Sequence, residues 1–328
     1  MLAIIIPYYK LTYFEATLKS LANQSDKRFK VFVGDDASPE DCTPLIAKYK
    51  PQFDLEYHRF ETNFGGSNLT QQWKRCIDLS KNEQWLMILG DDDVLEAKAI
   101  ASFYENINEI NSNECKVIRF ASRYIDENQK PLKGYLDYFN PKLEKAEDSF
   151  YRNFLGQSRS SLSEHIFLRS TYLKFGFHNY PLAWYSDDRA WLEFADKNPI
   201  YSINDAFVEV RVTSESITGK KDNEVLKQEA KIQFYEFIVF HKQLQFTKAQ
   251  KEHLLLEYGV LIQNQEPFPV KKGFIVFKFS INVNNFTKID GVIVISILHN
   301  QASVRHNLHS NDIFFQKIIF INHLQYFG

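Results

Sequence analysis

The chain has 328 residues, of which 44% are hydrophobic and 24% are charged, a composition typical of a globular protein. Its 39 basic and 41 acidic side chains give a formal charge of −2. This balance does not favour a nucleic-acid-binding protein, because such proteins usually carry a basic surface. The three cysteines have no CxxC or Cys/His spacing, so they indicate neither a disulfide framework nor a structural zinc site.

Two alternating patterns in the first 110 residues predict an α/β fold with a mainly parallel sheet. Short apolar runs, typical of buried strands, alternate with segments whose apolar residues recur at helical spacing. The predicted strands cover residues 2–6, 29–33, 55–60 and 85–89. The first predicted helix begins at an N-cap Thr12, and three others cover 39–49, 69–79 and 96–110. Ligands of such sheets bind beyond the carboxyl ends of the strands, so we expect the site there.

Acidic residues follow two of the predicted strands. Asp35 and Asp36 follow the second strand, and Asp91, Asp92 and Asp93 follow the fourth. One Asp at such a place is explained by capping of the next helix. Three adjacent carboxylates repel one another unless a cation offsets their charge. Because Mg²⁺ and Mn²⁺ prefer oxygen ligands, the triplet predicts a metal-bridged phosphate substrate.

Five segments, in order across about residues 2–218, resemble a family 2 glycosyltransferase with the Rossmann-like GT-A fold. They are AIIIPYY (3–9), KVFVGDDAS (30–38), NFGG (63–66) with WKRC (73–76), WLMILGDDD (85–93) and YSDDRAWL (185–192). Lys10 stands where the family usually has Asn, and Gly90 stands where it usually has the first Asp of its metal-binding motif. A sixth segment, VRVTSESIT (210–218), has Thr213 at the position of a His that often completes the family's metal shell.

The resemblance implies inverting transfer of a sugar from a nucleotide diphosphate donor, with UDP favoured, to a saccharide or lipid-linked acceptor in cell-surface polysaccharide assembly. It implies Asp188 as the catalytic base; the alternative is that Asp187 and Asp188 only stabilise the start of a helix at 189–195. A divalent Mn²⁺ or Mg²⁺ is expected on Asp91 and Asp93, although the family's own pair corresponds to Asp92 and Asp93. The donor-binding residues are expected to be Pro7, Tyr9, Asp35, Asp36, Asn63, Gly65, Arg75, Asp91 and Asp92.

Two other functions fit parts of the sequence. A nucleotidyltransferase also joins an α/β sheet to acidic metal ligands, but it should carry a Gly-rich basic phosphate loop, which PYYKLTYF (7–14) is not. The other is a sugar-nucleotide or glycan-binding protein without catalytic activity. An enzyme requires a working base at Asp188, so that residue discriminates between transfer and binding alone.

The domains expected are a glycosyltransferase domain at 1–219 and a mostly helical extension at 220–328. The first divides into a nucleotide-sugar half (1–110) and an acceptor half (111–219), and the extension begins with amphipathic helices at 223–244 and 247–263. Residues 271–328 carry six basic and two acidic side chains, which fits contact with an anionic membrane surface or packing in a core or homodimer interface. Without a signal-peptide pattern or a membrane-spanning apolar stretch, we expect a cytoplasmic protein, at most peripheral on the membrane.

Overall fold

The computed structural model describes residues 1–212 and 223–263. Its strands are β1 Leu2–Tyr8, β2 Phe29–Asp35, β3 Leu55–Arg59, β4 Trp85–Ile88, β5 Val94–Leu95, β6 Val117–Ile125, β7 Leu143–Glu144, β8 His165–Leu168 and β9 Ile200–Arg211. Its helices are α1 Phe14–Ala22, α2 Thr43–Tyr49, α3 Leu69–Ile77, α4 Ala99–Ser112, α5 Ala146–Phe154, α6 Arg169–Phe175, α7 Ser186–Phe194, α8 Glu224–Phe240 and α9 Lys248–Gln263.

One sheet runs through the first part of the chain, with the strand order β3-β2-β1-β4-β8-β6-β9-β5 and with β7 paired to β9. The pairs β1–β2, β1–β4 and β2–β3 are parallel, whereas β8 is antiparallel to both β4 and β6. The predicted α/β fold with a sheet of mostly parallel strands flanked by helices is confirmed. Tyr8 pairs with Asp35, so β1 and β2 end at the same edge, and the segment after β4 lies beside them.

Burial explains why these runs form the sheet. The β1 residues Leu2 to Ile6 are fully buried, as is most of β2, and the apolar area removed from water drives this packing. Helix α3 buries Trp73, Cys76 and Ile77, and the Cys76 sulfur lies against Gly34 of β2. A Cβ on Gly34 would collide with the Cys76 sulfur, so the glycine permits the close approach that brings α3 to the edge of the sheet.

Several helix boundaries differ from the predicted ones. Helix α1 begins at Phe14 with Tyr13 at the N-cap, so the prediction of Thr12 as the cap is wrong. Helix α2 begins at Thr43 rather than 39, because the preceding residues form a turn in which the Ser38 hydroxyl accepts a hydrogen bond from the Glu40 amide at 3.0 Å. Helix α7 begins at Ser186, so both carboxylates of the acidic pair lie in its first turn.

The described part of the chain divides into two units, one that ends at Phe234 and one that begins at Tyr235. Within the first, the Phe234 ring stacks on Tyr185 at 4.7 Å between centroids. Within the second, Phe240 contacts Tyr258 at 5.7 Å. The expected boundary at 219/220, Thr213 and the basic tail 271–328 lie outside the described residues. Among the residues that are described, no helix is long and apolar enough to cross a bilayer.

Candidate active site

Asp91 connects the end of β4 to the end of β1. Its Oδ2 accepts hydrogen bonds from the backbone amides of Tyr9 at 2.7 Å and Lys10 at 2.9 Å. Burial raises the pKa of Asp91 to about 6 in spite of these two bonds. The predicted metal ligand Asp91 therefore has one of its oxygens engaged by the protein backbone.

Asp92 and Asp93 converge on one point above Gly90. A Cβ on Gly90 would lie 2.9 Å from Asp93 Oδ2 and 3.0 Å from Asp92 Oδ1. Burial, followed by the charge of Asp92, raises the pKa of Asp93 to about 7; burial and the charge of Asp91 raise that of Asp92 to about 6. The glycine that replaces the family's usual Asp leaves this space open, and the approach of two carboxylates there is unfavourable without a cation.

Asp35 is a structural anchor at the end of β2. It is fully buried, and it accepts hydrogen bonds from the Ser38 amide at 2.8 Å, the Tyr57 hydroxyl at 2.7 Å and Arg59 Nη1 at 2.7 Å. Tyr57 and Arg59 are two residues apart on β3, so their side chains lie on one face of the strand. The predicted donor-binding residue Asp35 thus holds the turn after β2 against β3.

Asp36 organises the loop that contains NFGG. It accepts hydrogen bonds from the backbone amides of Phe64 and Gly65, each at 2.7 Å, and from Asn63 Nδ2 at 3.0 Å. A Cβ on Gly65 would lie 2.6 Å from Asp36 Oδ2, so glycine is needed for this approach. The structure brings together three of the predicted donor-binding residues, Asp36, Asn63 and Gly65.

Arg75 joins the same loop from helix α3. Its guanidinium forms an ion pair with Asp36 and lies between the rings of Phe60 and Phe64, at 4.0 and 4.3 Å from their centroids. Nη2 also donates to the Thr62 carbonyl at 2.7 Å. In this structure Arg75 closes the loop onto Asp36, which places its charge within the predicted nucleotide region.

Pro7 and Tyr9 lie at the same edge of the sheet. Pro7 pairs with Gly34 across β1 and β2. The Tyr9 side chain is 42% exposed, although its backbone is held by Asp91 and by a 2.6 Å hydrogen bond from the Ser38 hydroxyl to its carbonyl. A half-exposed ring on a fixed backbone is suited to stacking on a planar group.

The second acidic pair lies in the first turn of α7. Burial raises the pKa of Asp187 to about 6, and burial followed by the charge of Asp187 raises the pKa of Asp188 well above its usual value. Asp188 Oδ1 accepts a hydrogen bond from Asn153 Nδ2 at 3.5 Å. The Asp188 side chain lines a narrow cavity together with Asn153, Arg159, Ser160 and His165.

The segment 159–164 reaches both acidic groups. At one end, the Ser163 hydroxyl accepts a hydrogen bond from the Gly90 amide at 3.0 Å. At the other, Arg159 and Ser160 line the cavity of Asp188. Glu164 is buried, forms an ion pair with Arg159 and accepts a 2.6 Å hydrogen bond from the Ser161 amide. The acids after β4 and the acids of α7 therefore face one connected region.

Residues 3–168 match the family model described as glycosyl transferase family 2. The chain belongs to glycosyl transferase family 2. This match confirms the predicted family and the prediction of a glycosyltransferase. No curated protein sequence matches this glycosyltransferase at a significant level.

Solved structures show the same fold. S. aureus TarS 1–349 in complex with UDP-GlcNAc has a TM-score of 0.60 and 15% identity over 94% of this chain and 93% of its own. Full TarS has a TM-score of 0.56 and 16% identity over 91% of this chain; this chain spans 48% of it. The Pyrobaculum calidifontis mannosyltransferase PcManGT, in complex with GDP-Man and Mn²⁺, has a TM-score of 0.53 and 12% identity over 93% of this chain and 81% of its own.

The residues of this glycosyltransferase fit a divalent cation at the end of β4. Asp92 and Asp93 offer oxygen ligands that converge over Gly90, and such oxygens suit Mg²⁺ or Mn²⁺, which commonly bind one or two carboxylates and substrate phosphates. Within residues 1–212 and 223–263, no three His, Cys, Asp or Glu side chains already surround one metal position.

The sequence-based site of the glycosyltransferase did not include Arg211, which holds the acidic triplet in place. Its backbone amide donates to Asp93 Oδ1 at 2.9 Å and its Nε donates to the Asp92 carbonyl at 2.9 Å. The guanidinium also lies 4.4 Å from the centroid of the Tyr13 ring. Its signal in the sequence was its place in VRVTSESIT (210–218), one of the segments that resemble the family.

His165 has a structural role in the glycosyltransferase. Its ring stacks on Trp191 at 4.2 Å, and Nδ1 lies 2.7 Å from the Ser161 carbonyl. Burial lowers the pKa of His165 to about 4. The imidazole is thus neutral near pH 7 and packs against α7 behind Asp188.

Proposed function

We propose that this chain transfers a glycosyl unit from a UDP-sugar to a hydroxyl group of a saccharide or lipid-linked acceptor, with inversion at the anomeric carbon. The observation that carries the proposal is the segment 159–164, which contacts Gly90 beside the acidic triplet and lines the cavity of Asp188. One acidic group suits a cation beside a diphosphate, and the other suits a base beside an acceptor.

Asp188 would act as the base. In the proposed step, the acceptor oxygen bonds to the anomeric carbon, the bond from that carbon to the diphosphate oxygen breaks, and the acceptor proton passes to an Asp188 carboxylate oxygen. A general base works best when its pKa lies near the working pH. The raised pKa of Asp188, caused by burial and by Asp187, is in the direction that this role needs.

The leaving diphosphate would lie at the end of β4. Asp92 and Asp93 would hold the divalent ion, which when bound neutralises negative charge on the diphosphate; Asp91 would support them from the β1 backbone. Arg211 keeps the triplet in place through its contacts with Asp92 and Asp93.

The nucleoside would bind beside Tyr9 and the Asp36 loop. Tyr9 offers a half-exposed ring for the nucleobase, and Arg75, Asn63 and Asp36 form a closed hydrogen-bonded unit next to it. One solved structure with this fold binds UDP-GlcNAc and another binds GDP-Man, so the identity of the donor nucleobase must be tested. Cell-surface polysaccharide assembly at the cytoplasmic side of the membrane is the corresponding proposal for the pathway.

The test is a thermal unfolding series followed by a transfer assay. The protein is heated with UDP, GDP, UDP-sugars and GDP-mannose, each with and without Mn²⁺. We expect a rise in Tm with UDP compounds that is larger with Mn²⁺, because a ligand that binds only the folded state stabilises it. The donor with the largest effect is then incubated with acceptors, and the anomeric configuration of the product is read by NMR. The proposal fails if no nucleotide raises Tm, or if the product retains the donor configuration.

A further inference from the structure

Arg159 is a buried cation with unused hydrogen-bond donors. It is 7% exposed, and its Nη2 donates to the Ser161 hydroxyl at 2.7 Å. Its Nε and Nη1 are buried and make no hydrogen bond in the part of the chain that the structure describes, although Nη1 forms an ion pair with Glu164. Leaving buried donors unpaired is unfavourable, so such groups in a native protein normally meet water or a ligand.

The charge of Arg159 is already balanced by the protein. Glu164, which is 1% exposed, lies opposite with its Oε2 3.4 Å from Arg159 Nη1, and the guanidinium lies over the Tyr124 ring at 4.8 Å from its centroid. A cation paired in this way offers directed N–H groups with little net charge. Such a pair suits neutral oxygen atoms, such as hydroxyl or amide oxygens, better than a phosphate that carries its own negative charge.

Arg159 lies between the two acidic groups. It lines the cavity that contains Asp188. It belongs to the segment 159–164, whose Ser163 hydroxyl accepts a hydrogen bond from the amide of Gly90 beside Asp92 and Asp93. In the proposed reaction the diphosphate lies on the Asp93 side and the acceptor hydroxyl lies at Asp188. The group between these two ends is the sugar that is transferred.

We infer that Arg159 is a specificity-determining residue whose Nε and Nη1 donate hydrogen bonds to neutral oxygen atoms of the transferred sugar. Glu164 fixes the guanidinium through the ion pair. The inference rests on the proposed function and names the side chain that recognises the sugar of the donor. It also predicts that the sugar, and not the diphosphate, depends on this residue.

The test is Arg159→Lys, with binding of the preferred UDP-sugar and of UDP measured separately by calorimetry in the presence of Mn²⁺. Lysine keeps the charge beside Glu164 but lacks the planar set of donors. We expect Kd for the UDP-sugar to rise about 10- to 100-fold, in line with the loss of hydrogen bonds from a charged donor. Kd for UDP should stay at the wild-type value, and the preference among UDP-sugars that differ at one hydroxyl should narrow.

Two further variants keep the test decisive if Arg159→Lys folds poorly. Arg159→Met with Glu164→Gln removes both charges together, so no buried carboxylate is left unpaired, and it should give the same loss for the UDP-sugar alone. Arg169→Lys is the matched control: Arg169 also pairs with a glutamate, Glu83, at 3.5 Å, but beside the start of β4. It should change neither Kd.

Equal weakening of UDP and UDP-sugar would assign Arg159 to the diphosphate and overturn the inference. An unchanged UDP-sugar Kd would reduce Arg159 to a structural role and also overturn it. Both outcomes leave nucleotide-dependent transfer by the wild type intact. Absence of any nucleotide binding by the wild-type protein would instead count against the proposed function.

Discussion

The acids after β2 and the acids facing segment 159–164 differ in how many hydrogen bonds they accept from the protein. Asp35 and Asp36 are buried, and each accepts three or more hydrogen bonds from nearby amides and side chains. Asp93 and Asp188 are held by fewer donors, and burial raises the pKa of both. The first pair therefore organises structure, whereas the second set retains oxygens that a cation or a proton can satisfy.

The difference follows from where the donors come from. Asp36 lies beside a glycine-containing loop whose backbone amides donate hydrogen bonds to it. Asp188 lies beside two other carboxylates, Asp187 and Glu164, whose charges disfavour its ionisation. We expect substitutions in the two groups to affect different measurements, stability in the first and chemistry in the second.

Asp188→Asn should have the largest effect on activity. The amide keeps the size of the side chain but cannot take the acceptor proton, so kcat should fall by about 10²- to 10⁴-fold, the usual contribution of a general base. Kd for UDP with Mn²⁺, measured by calorimetry, should not change. Asp196→Asn at the end of the same helix is the control, because Asp196 only pairs with Lys116 and Lys174. Equal activity of the two variants would contradict the assignment of the base.

Asp36→Ala should have the largest effect on stability. It leaves Arg75, whose side chain is 15% exposed, without its ion pair and frees the amides of Phe64 and Gly65. Removing one partner of a buried pair costs about 3–5 kcal/mol, which urea unfolding would measure. Asp78→Ala, which breaks an exposed pair with Lys74 on the same helix, should cost less than about 1 kcal/mol. Similar losses for both would mean that the loop is not held through Asp36.

The periodicity of the first 110 residues was sufficient to predict strands β1 to β4 and helices α1 to α4, whereas β5 to β9 were not predicted from it. Short apolar runs such as residues 2–6 are typical of a buried strand, and the observed β1 and β4 match the predicted ones. The predicted start of α2 was wrong because a local hydrogen bond from the Glu40 amide to the Ser38 hydroxyl replaces the first helical turn there. Competition between a side chain and the backbone is not visible in apolar spacing.

The roles of individual acids could not be read from sequence, because their partners are distant along the chain. Asp35 is occupied by Tyr57 and Arg59 from another strand, and no local pattern links these positions. Arg159 stands in a serine-rich segment with no recognisable motif, and only burial shows that its donors are unused. The assignments of Asp188 as base and of the metal ligands stay predictions.

Asp187→Asn should shift the acidic limb of the profile of kcat against pH by about one pH unit. Because Asp188 must be ionised to accept a proton, and its pKa is raised by burial and by the Asp187 charge, activity of the wild type should rise with pH. Removing the neighbouring charge lowers the pKa of Asp188, so the acidic limb should move to lower pH by about one unit, a tenfold gain on that limb. Profiles of kcat against pH measure this shift. An unmoved limb would show that another group controls it.

Asp93→Asn should give the smallest effect, a change in how stability depends on pH. The folded-state pKa of Asp93 is raised by burial and Asp92 to about 7, whereas the unfolded value is about 4. Between these values the folded state binds more protons than the unfolded state, so the free energy of unfolding falls as pH rises. Asparagine does not titrate, so the free energy of unfolding of the variant should fall less between pH 4 and pH 7 than that of the wild type. Urea unfolding at several pH values measures the slope, and Asp54→Asn at an exposed site should leave it unchanged.

Mn²⁺ with UDP should stabilise the wild type more at pH 7 than at pH 5, because the cation competes with protons for the same carboxylates. Parallel slopes for Asp93→Asn and wild type would show that these acids are ionised without help, and the contrast with Asp35 and Asp36 would not hold.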